Sequence, residues 1–298
     1  MRRHARRAVA LVAALLAACA PAPATELLGS HRWVPPWHGA GGYSALWVDG
    51  TGTAFLTLSD RGGWVRGVLN RDPSGAVASV AVTGRGTLAR QAGPRPEGND
   101  RDVEGLAVVG GTAFVSYESA DRVLRHDTLD GPPLMLPLHP DWEGFGVNSG
   151  LEALAAAPDG TLYAIPERSG ARGAPFPVYR YDGTAWDIPF TIPRDGPFLV
   201  TGADIGPDGR LYVLERDFAL VGFRSRLRSV ALDGTDERVE FTTTLRRHDN
   251  LEGLAVWRDA AGRLRATMIS DDNLRPVQVT EFVDYVLSPP GAEATGGL

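Results

Sequence analysis

The stretch LEALAAAPDGTLYAIPER, Leu151–Arg168, decides the fold. It reads as a small-apolar strand, a Gly-containing turn and a second apolar strand ending in an acid, which is the outline of a β-hairpin. The unit returns as TGADIGPDGRLYVLER (Thr201–Arg216), VEGLAVVGGTAFVSYES (Val103–Ser119), LEGLAVWRDAAGRLRATMISDDN (Leu251–Asn273) and YSALWVDGTGTAFLTLSDRG (Tyr43–Gly62). The starts at Ser44, Glu104, Glu152, Thr201 and Glu252 are spaced 60, 48, 49 and 51 residues apart. Weaker strand candidates such as FPVYRYDG, RLRSVALDG and DRVLRHDTLDG fill the intervals. Two strong and two weak strands per repeat of about fifty residues are the arithmetic of a propeller blade. No segment sustains a helical period. The expected fold is therefore all-β, a β-propeller of five blades, with six left open by the longer first interval. After Glu252 there is room for three strands, the last near VQVTEFVDYV, and the N-terminal ELLGSHRW is expected to supply the fourth and close the ring.

Composition narrows the function. A hydrophobic content of 43% with 22% charge is that of a folded globular chain, and 36 glycines with 22 prolines favour turns over long helices. All 30 basic residues are arginine. Without lysine, Schiff-base chemistry and the phosphate-binding Gly-Lys-Ser loop are excluded. Four arginines lie in the first seven residues, and removing them from the formal net charge of −6 leaves the body near −10. So acidic a body repels nucleic acid and anionic membranes, and neither is expected as a partner.

The N-terminus reads as an address. MRRHARR is a basic n-region, and AVALVAALLAA is apolar but too short to span a bilayer. It ends in LAAC, where Cys19, the only cysteine, resembles the lipidated residue of a bacterial lipobox. Ordinary signal-peptidase cleavage near APA is the alternative. Either route expects export, to the periplasm or to the outer membrane through an anchor on Cys19. Residues 1–19 are thus expected to be the signal, 25–287 one propeller domain acting as a monomer, and 288–298 a disordered tail.

Counting outward from each turn pairs Glu104 with Glu118, Glu152 with Glu167, Thr201 with Glu215, Ser44 with Asp60, and Glu252 with Asp271 or Asp272. The first strand of a blade is innermost, so these pairs are expected to ring one mouth of the central channel. Like charges facing one another on a sheet are destabilising, and such a ring needs cations, arginine or raised pKa values. Asp102 and Asn250 precede Glu104 and Glu252 by two and share their face of an extended strand. The candidate oxygen ligands are Asp60, Asp102, Glu104, Glu118, Glu152, Glu167, Asp204, Glu215, Glu252 and Asp271, a density that suits calcium. Arg61, Arg168 and Arg216 each follow an acid and either neutralise it or fork onto an anionic substrate. With them, Glu104, Glu152 and Glu252 form the candidate catalytic set. Repeat proteins also keep polar residues at strand starts to bond backbone, and interblade arginine–glutamate pairs account for such acids without any ligand.

Other constellations carry less. His126, His139 and His248 fall in inferred outer strands or loops without zinc spacing and read as surface residues. Ser44, in GYSAL, lacks the second glycine and the helix of a nucleophile elbow. Asn99 and Asp100, in the loop GPRPEGNDRD, are further candidate ligands, and Trp47, Trp142 and Trp257 read as core or rim aromatics.

The order and spacing of EGLAV, LEALA, SDRG, PER, GADIGPDGRLYVLER and NLEGLAVW resemble the phytase-like family of exported bacterial proteins across about residues 40 to 285. The resemblance implies a β-propeller and hydrolysis of phosphate or carboxylic esters. It departs from phytate-hydrolysing propellers in having neither their Asp-Asp-Pro motif nor their phosphate-contacting lysines. Three functions follow as expectations: a calcium-dependent esterase or phosphoesterase taking a small anionic substrate, a lactonase similar to the gluconolactonase and paraoxonase propellers, or a non-catalytic envelope propeller that binds a ligand or protein.

Overall fold

The computed structural model describes residues 25–91, 101–118, 120–146 and 149–288. The leader with Cys19, the loop residues Asn99 and Asp100, and the tail beyond Ser288 lie outside the described residues. After β1 (Glu26–Arg32) the chain builds four consecutive antiparallel sheets. The first comprises β2 (Tyr43–Val48), β3 (Ala54–Ser59), β4 (Gly63–Arg71) and β5 (Val77–Thr87). The second comprises β6 (Val103–Val109), β7 (Thr112–Tyr117), β8 (Arg122–His126) and β9 (Leu134–Met135). The third comprises β10 (Leu151–Ala156), β11 (Leu162–Pro166), β12 (Phe176–Tyr181) and β13 (Trp186–Ile192). The fourth comprises β14 (Leu199–Ile205), β15 (Arg210–Ala219), β16 (Gly222–Ala231) and β17 (Arg238–Thr242). The fifth combines β18 (Asn250–Arg258), β19 (Leu264–Asp271) and β20 (Glu281–Val286) with β1, which pairs along β20 from Glu26 opposite Val286 to Arg32 opposite Glu281. The protein is a five-bladed β-propeller closed by its N-terminal strand, and the longer first interval holds no sixth blade among the described residues.

Each interface between neighbouring blades carries its own apolar cluster. Leu58, Leu106 and Val115 join the first two blades, and Leu151, Leu154 and Val123 the second and third. Val200 and Ile165 join the third and fourth, Leu227 and Met268 the fourth and fifth, and Phe55 and Phe282 the fifth and first. The first strands β2, β6, β10, β14 and β18 pack around the axis, as their small residues allow.

Those first strands share a defect. The ladder slips between Tyr43 and Ala45, Val103 and Leu106, Leu151 and Ala153, Val200 and Gly202, and Leu251 and Gly253. The residues inside the slips are the repeat starts: Ser44, Glu104 with Gly105, Glu152, Thr201 and Glu252. A β-bulge leaves its extra residue unpaired and re-aims that side chain. Here it serves the axis. The residue that follows must be small, because the neighbouring inner strand lies against it. A Cβ on Gly105 would sit 2.8 Å from Leu154 Cβ, one on Gly253 would sit 2.8 Å from Leu46 Cβ, and one on Gly202 would overlap the carbonyl oxygen of Glu252.

The bulges also correct the facing pairs expected from symmetric counting, which assumed unbroken ladders. The backbone N–H of Glu167 donates to Gly150, that of Glu118 to Asp102, and that of Asp60 to Gly42. Asp271 faces Asn250 and Arg216 faces Leu199, while Glu215 faces Val200. In the fourth blade, therefore, Arg216 stands where the other blades place an acid.

Gly202→Ala is expected to cost about 1–3 kcal/mol, the usual penalty for forcing a methyl into packed structure. Urea unfolding should show it as a lower midpoint with unchanged slope.

Candidate functional site

The two uncharged bulge residues stitch blades together. Ser44 Oγ donates to the Val103 carbonyl at 2.8 Å, and Thr201 Oγ1 donates to the Leu251 carbonyl at 3.1 Å. Ser44 is buried and spent on that bond, consistent with its reading as no nucleophile. The three glutamate bulge residues bring carboxylates to the same mouth. Below them the axis is nearly solid: a void of only about 10 Å³ lies among Leu46, Leu106, Leu154 and Leu254, with Ser44, Glu104 and Glu252 on its walls. That is barely one water's room. A ligand reaches these acids from their own side.

The crowding shows in their acidities. Burial, followed by the charges of Glu152, Glu252, Asp102 and Glu118, pushes the Glu104 carboxyl well above the ordinary range. Burial and then Glu167 raise Glu152, against the pull of Arg216. Glu252 is raised by burial although Arg216 and Asn250 both favour its ionised form. Burial, then Glu252, pushes Asp271 up to about 8, and burial raises Asp60 and Glu118 as well.

Two groupings divide the mouth. On one side Arg216 acts as a hub. Its Nη1 donates to Asn250 Oδ1 at 2.9 Å and to Glu252 Oε1, and its Nη2 donates to Glu167 Oε1 at 3.2 Å and lies 3.8 Å from Glu152 Oε1. Asn250 Nδ2 adds a 2.7 Å bond to Glu252. On the other side, Asp102, Glu104 and Glu118 each bring a carboxylate oxygen within 4.8 Å of the other two. Two oxygens across a calcium ion, each bonded at about 2.4 Å, are separated by that same distance. The donors are all hard oxygens, and one of them, Glu104, is destabilised as an anion by its neighbours. This set fits a divalent hard cation.

Not every expected residue reaches the mouth. Glu215 is fully buried on the opposite face of β15, held by Arg226 at 2.7 Å and Arg228 at 2.5 Å. The bulge in β14 shifts the register and gives its place to Arg216. Asp204 lies at the other mouth, in a cavity of about 380 Å³ lined by Pro158, Pro207 and Gly50. Its oxygens accept from the Ile205 and Val256 N–H groups, and burial pushes its carboxyl up to about 7. Asp60 Oδ1 is buried without a hydrogen-bond partner among the described residues. Arg168 is half exposed and bonds Glu167 Oε2 at 2.8 Å, while Arg61 is exposed beside Asp60. His126 and His248 are not surface residues: both are buried, His126 at the end of β8 and His248 in the loop before β18, where its Nε2 meets Tyr285 Oη at 3.0 Å. Trp142 and Trp257 are core, and Trp47 is half-buried.

Sequence reasoning missed Asp121, whose Oδ1 accepts the Leu151 N–H at 2.8 Å and ties the second blade to the third. Burial pushes it up to about 6. It belongs to a turn after the hairpin, and the repeat carries no signal there.

In EGTA the protein should be most stable near pH 4 and lose stability toward pH 9. Carboxyls raised on folding contribute fully below the unfolded range of about 4, and their contribution is lost as pH rises through the folded value. For Asp271 that value is about 8. Thermal melts across this interval read the effect, and a rise toward pH 9 would contradict it. Arg216→Gln strips three acids of their shared counter-charge and should cost about 3–5 kcal/mol, steepening the decline.

A search of curated protein sequences finds no match. Among solved structures, the chain is similar in fold to a PQQ-bound aldose sugar dehydrogenase from Streptomyces coelicolor. The identity is 13% and the TM-score 0.46, over 90% of this chain and 100% of that one. It is also similar to an α-L-arabinofuranosidase from Podospora anserina, with 10% identity and a TM-score of 0.48 over 88% and 96% of the two chains. A luciferin-regenerating enzyme gives 13% identity and a TM-score of 0.45 over 88% and 96%. The phytase-like family model, described as esterase-like activity of phytase, matches residues 38–274. That span takes in all five inner hairpins and leaves out only the closing strands β1 and β20, so the chain belongs to the phytase-like family.

Proposed function

We propose that the protein is a metal-dependent hydrolase of small anionic esters, phosphate or carboxylic, acting at the acidic mouth with calcium held by Asp102, Glu104 and Glu118. The observation that carries this reading is the convergence of those three carboxylates, with Glu104 pressed on all sides by like charge. Calcium bound there supplies a positive charge that polarises a phosphoryl or carbonyl oxygen. The chain's own residues do the rest. Arg168 and Arg61, exposed at the rim, meet the substrate's anionic group. Glu152, whose carboxyl burial and Glu167 push upward against the pull of Arg216, is placed to pass a proton to a leaving oxygen, and Arg216 fixes its position. The near-solid axis keeps water from reaching the site from behind. On this reading the basic and apolar leader directs the chain to the envelope, periplasmic or anchored to the outer membrane through Cys19.

One observation favours a second reading, a binding propeller without catalysis. Arg216 already neutralises Glu152, Glu167 and Glu252, as a purely structural ring would require. A lactonase gains less, since His126 ends the outer strand β8 and the His248 ring meets Tyr285 Oη at 3.0 Å rather than a carboxylate of the mouth.

Metal analysis of purified protein should find calcium, and EGTA should lower the melting temperature. Calcium should restore it better than magnesium, by about 2.7 kcal/mol at a hundredfold excess over Kd. Glu104→Gln should abolish that response while leaving the fold intact. Screens with p-nitrophenyl phosphate, p-nitrophenyl butyrate and a γ-lactone then separate the hydrolase readings. Melting indifferent to calcium and EGTA, in metal-free protein, would remove the mechanism and leave the binding propeller.

A further inference from the structure

Between the first and second blades lies a cavity of about 550 Å³ that shares no residue with the acidic mouth. Its size is within the usual range of small-molecule pockets. Trp47, Phe55, Leu56 and Trp64 form apolar walls on the first blade, and Val108 and Ala113 face them from the second. His126 stands at the end of β8 and lines the same cavity. Its side chain is 1% exposed, yet neither Nδ1 nor Nε2 has a hydrogen-bond partner among the described residues. Buried polar groups are almost always paired, and an imidazole with both nitrogens unmet in an apolar wall calls for an explanation. Leucine or phenylalanine would fill that wall without the penalty.

We propose that this cavity binds a small neutral aromatic alcohol, with its ring between the tryptophans and its hydroxyl on the His126 imidazole. A neutral imidazole offers one N–H donor and one acceptor, and a hydroxyl is the smallest group able to answer either. An ion is disfavoured. The interior presents no opposite charge, so burying one would go uncompensated. Of the charges at the rim, Arg66 lies 5.5 Å from the Trp64 ring centroid, Arg125 bonds Asp127 at 2.9 Å, and Asp130 is exposed to solvent. Three aromatic walls favour a planar ligand that stacks or meets them edge-on. Burial of His126 keeps it neutral, its pKa pushed down to about 4, which agrees with a neutral partner.

The test uses the full mature chain with isotope-labelled histidine, p-cresol as the probe and toluene as its hydroxyl-free control. The His126 ring resonance, assigned by its loss in His126→Phe, should shift saturably with p-cresol. One net hydrogen bond predicts p-cresol binding about two- to tenfold tighter than toluene. Tryptophan fluorescence should show that preference lost in His126→Phe. Ala113→Leu, which adds three carbons beside His126 on the β7–β8 ladder, should weaken the shift without changing the calcium response of the melting temperature. The proposal is overturned by the absence of any saturable shift up to the solubility of p-cresol. Equal affinity for toluene, or an affinity for p-cresol unchanged in Ala113→Leu, overturns it as well. A calcium response lost in wild-type protein, with cresol binding intact, would count against the hydrolase reading alone.

Discussion

Five strands cannot converge on one axis with ordinary side chains between them, and this crowding governs the molecule. It explains the small residue after each repeat start, since Gly105, Gly202 and Gly253 lie directly against the next inner strand. It goes with the bulge before each of them, which lets the strand bend inward and turns one side chain toward the axis. What evolution places at that turned position is then unavoidably close to its counterparts in the other blades. Three glutamates there create a repulsion that the fold must answer.

The answer is uneven around the ring. From the third to the fifth blade a single guanidinium, contributed by the one blade without acids at the mouth, collects the charge of its neighbours. Around the second blade the carboxylates face mainly one another. A symmetric fold has thus been given an asymmetric charge distribution, and the proposed site rests on that asymmetry. Arginine suits the hub because its planar fork meets several oxygens at fixed angles, which an ammonium would not.

Much of this was legible in the sequence, for a physical reason. A blade repeats because each must present the same faces to two neighbours, so Leu58, Val115 and Ile165 recur in register and the period can be counted. The closing strand was legible too, since Phe282 and Val283 lacked a fourth strand and only Glu26–Arg32 was unassigned. The bulges were not. A ladder slip leaves no mark in residue order, and it exchanged Glu215 for Arg216 at the mouth. Asp204 deceived for a related reason: two residues past Gly202, it is carried beyond the solid middle of the axis to the far side. The burial of His126 was equally hidden, because polarity suggests exposure and only the stacking of blades supplies the cover.

The closing blade also fixes the molecule's orientation toward anything joined to it. Thr25 and Ser288 meet at a hydroxyl contact of 3.1 Å, next to Leu264 at the start of β19. That end of the blade carries the hairpin turns, while Asp271 and the other acids stand at the opposite end of the same strand. Both ends of the body therefore leave from its back. A tether, tag or surface attached at either terminus would hold the propeller like a dish on a stem, with the acidic bowl turned outward.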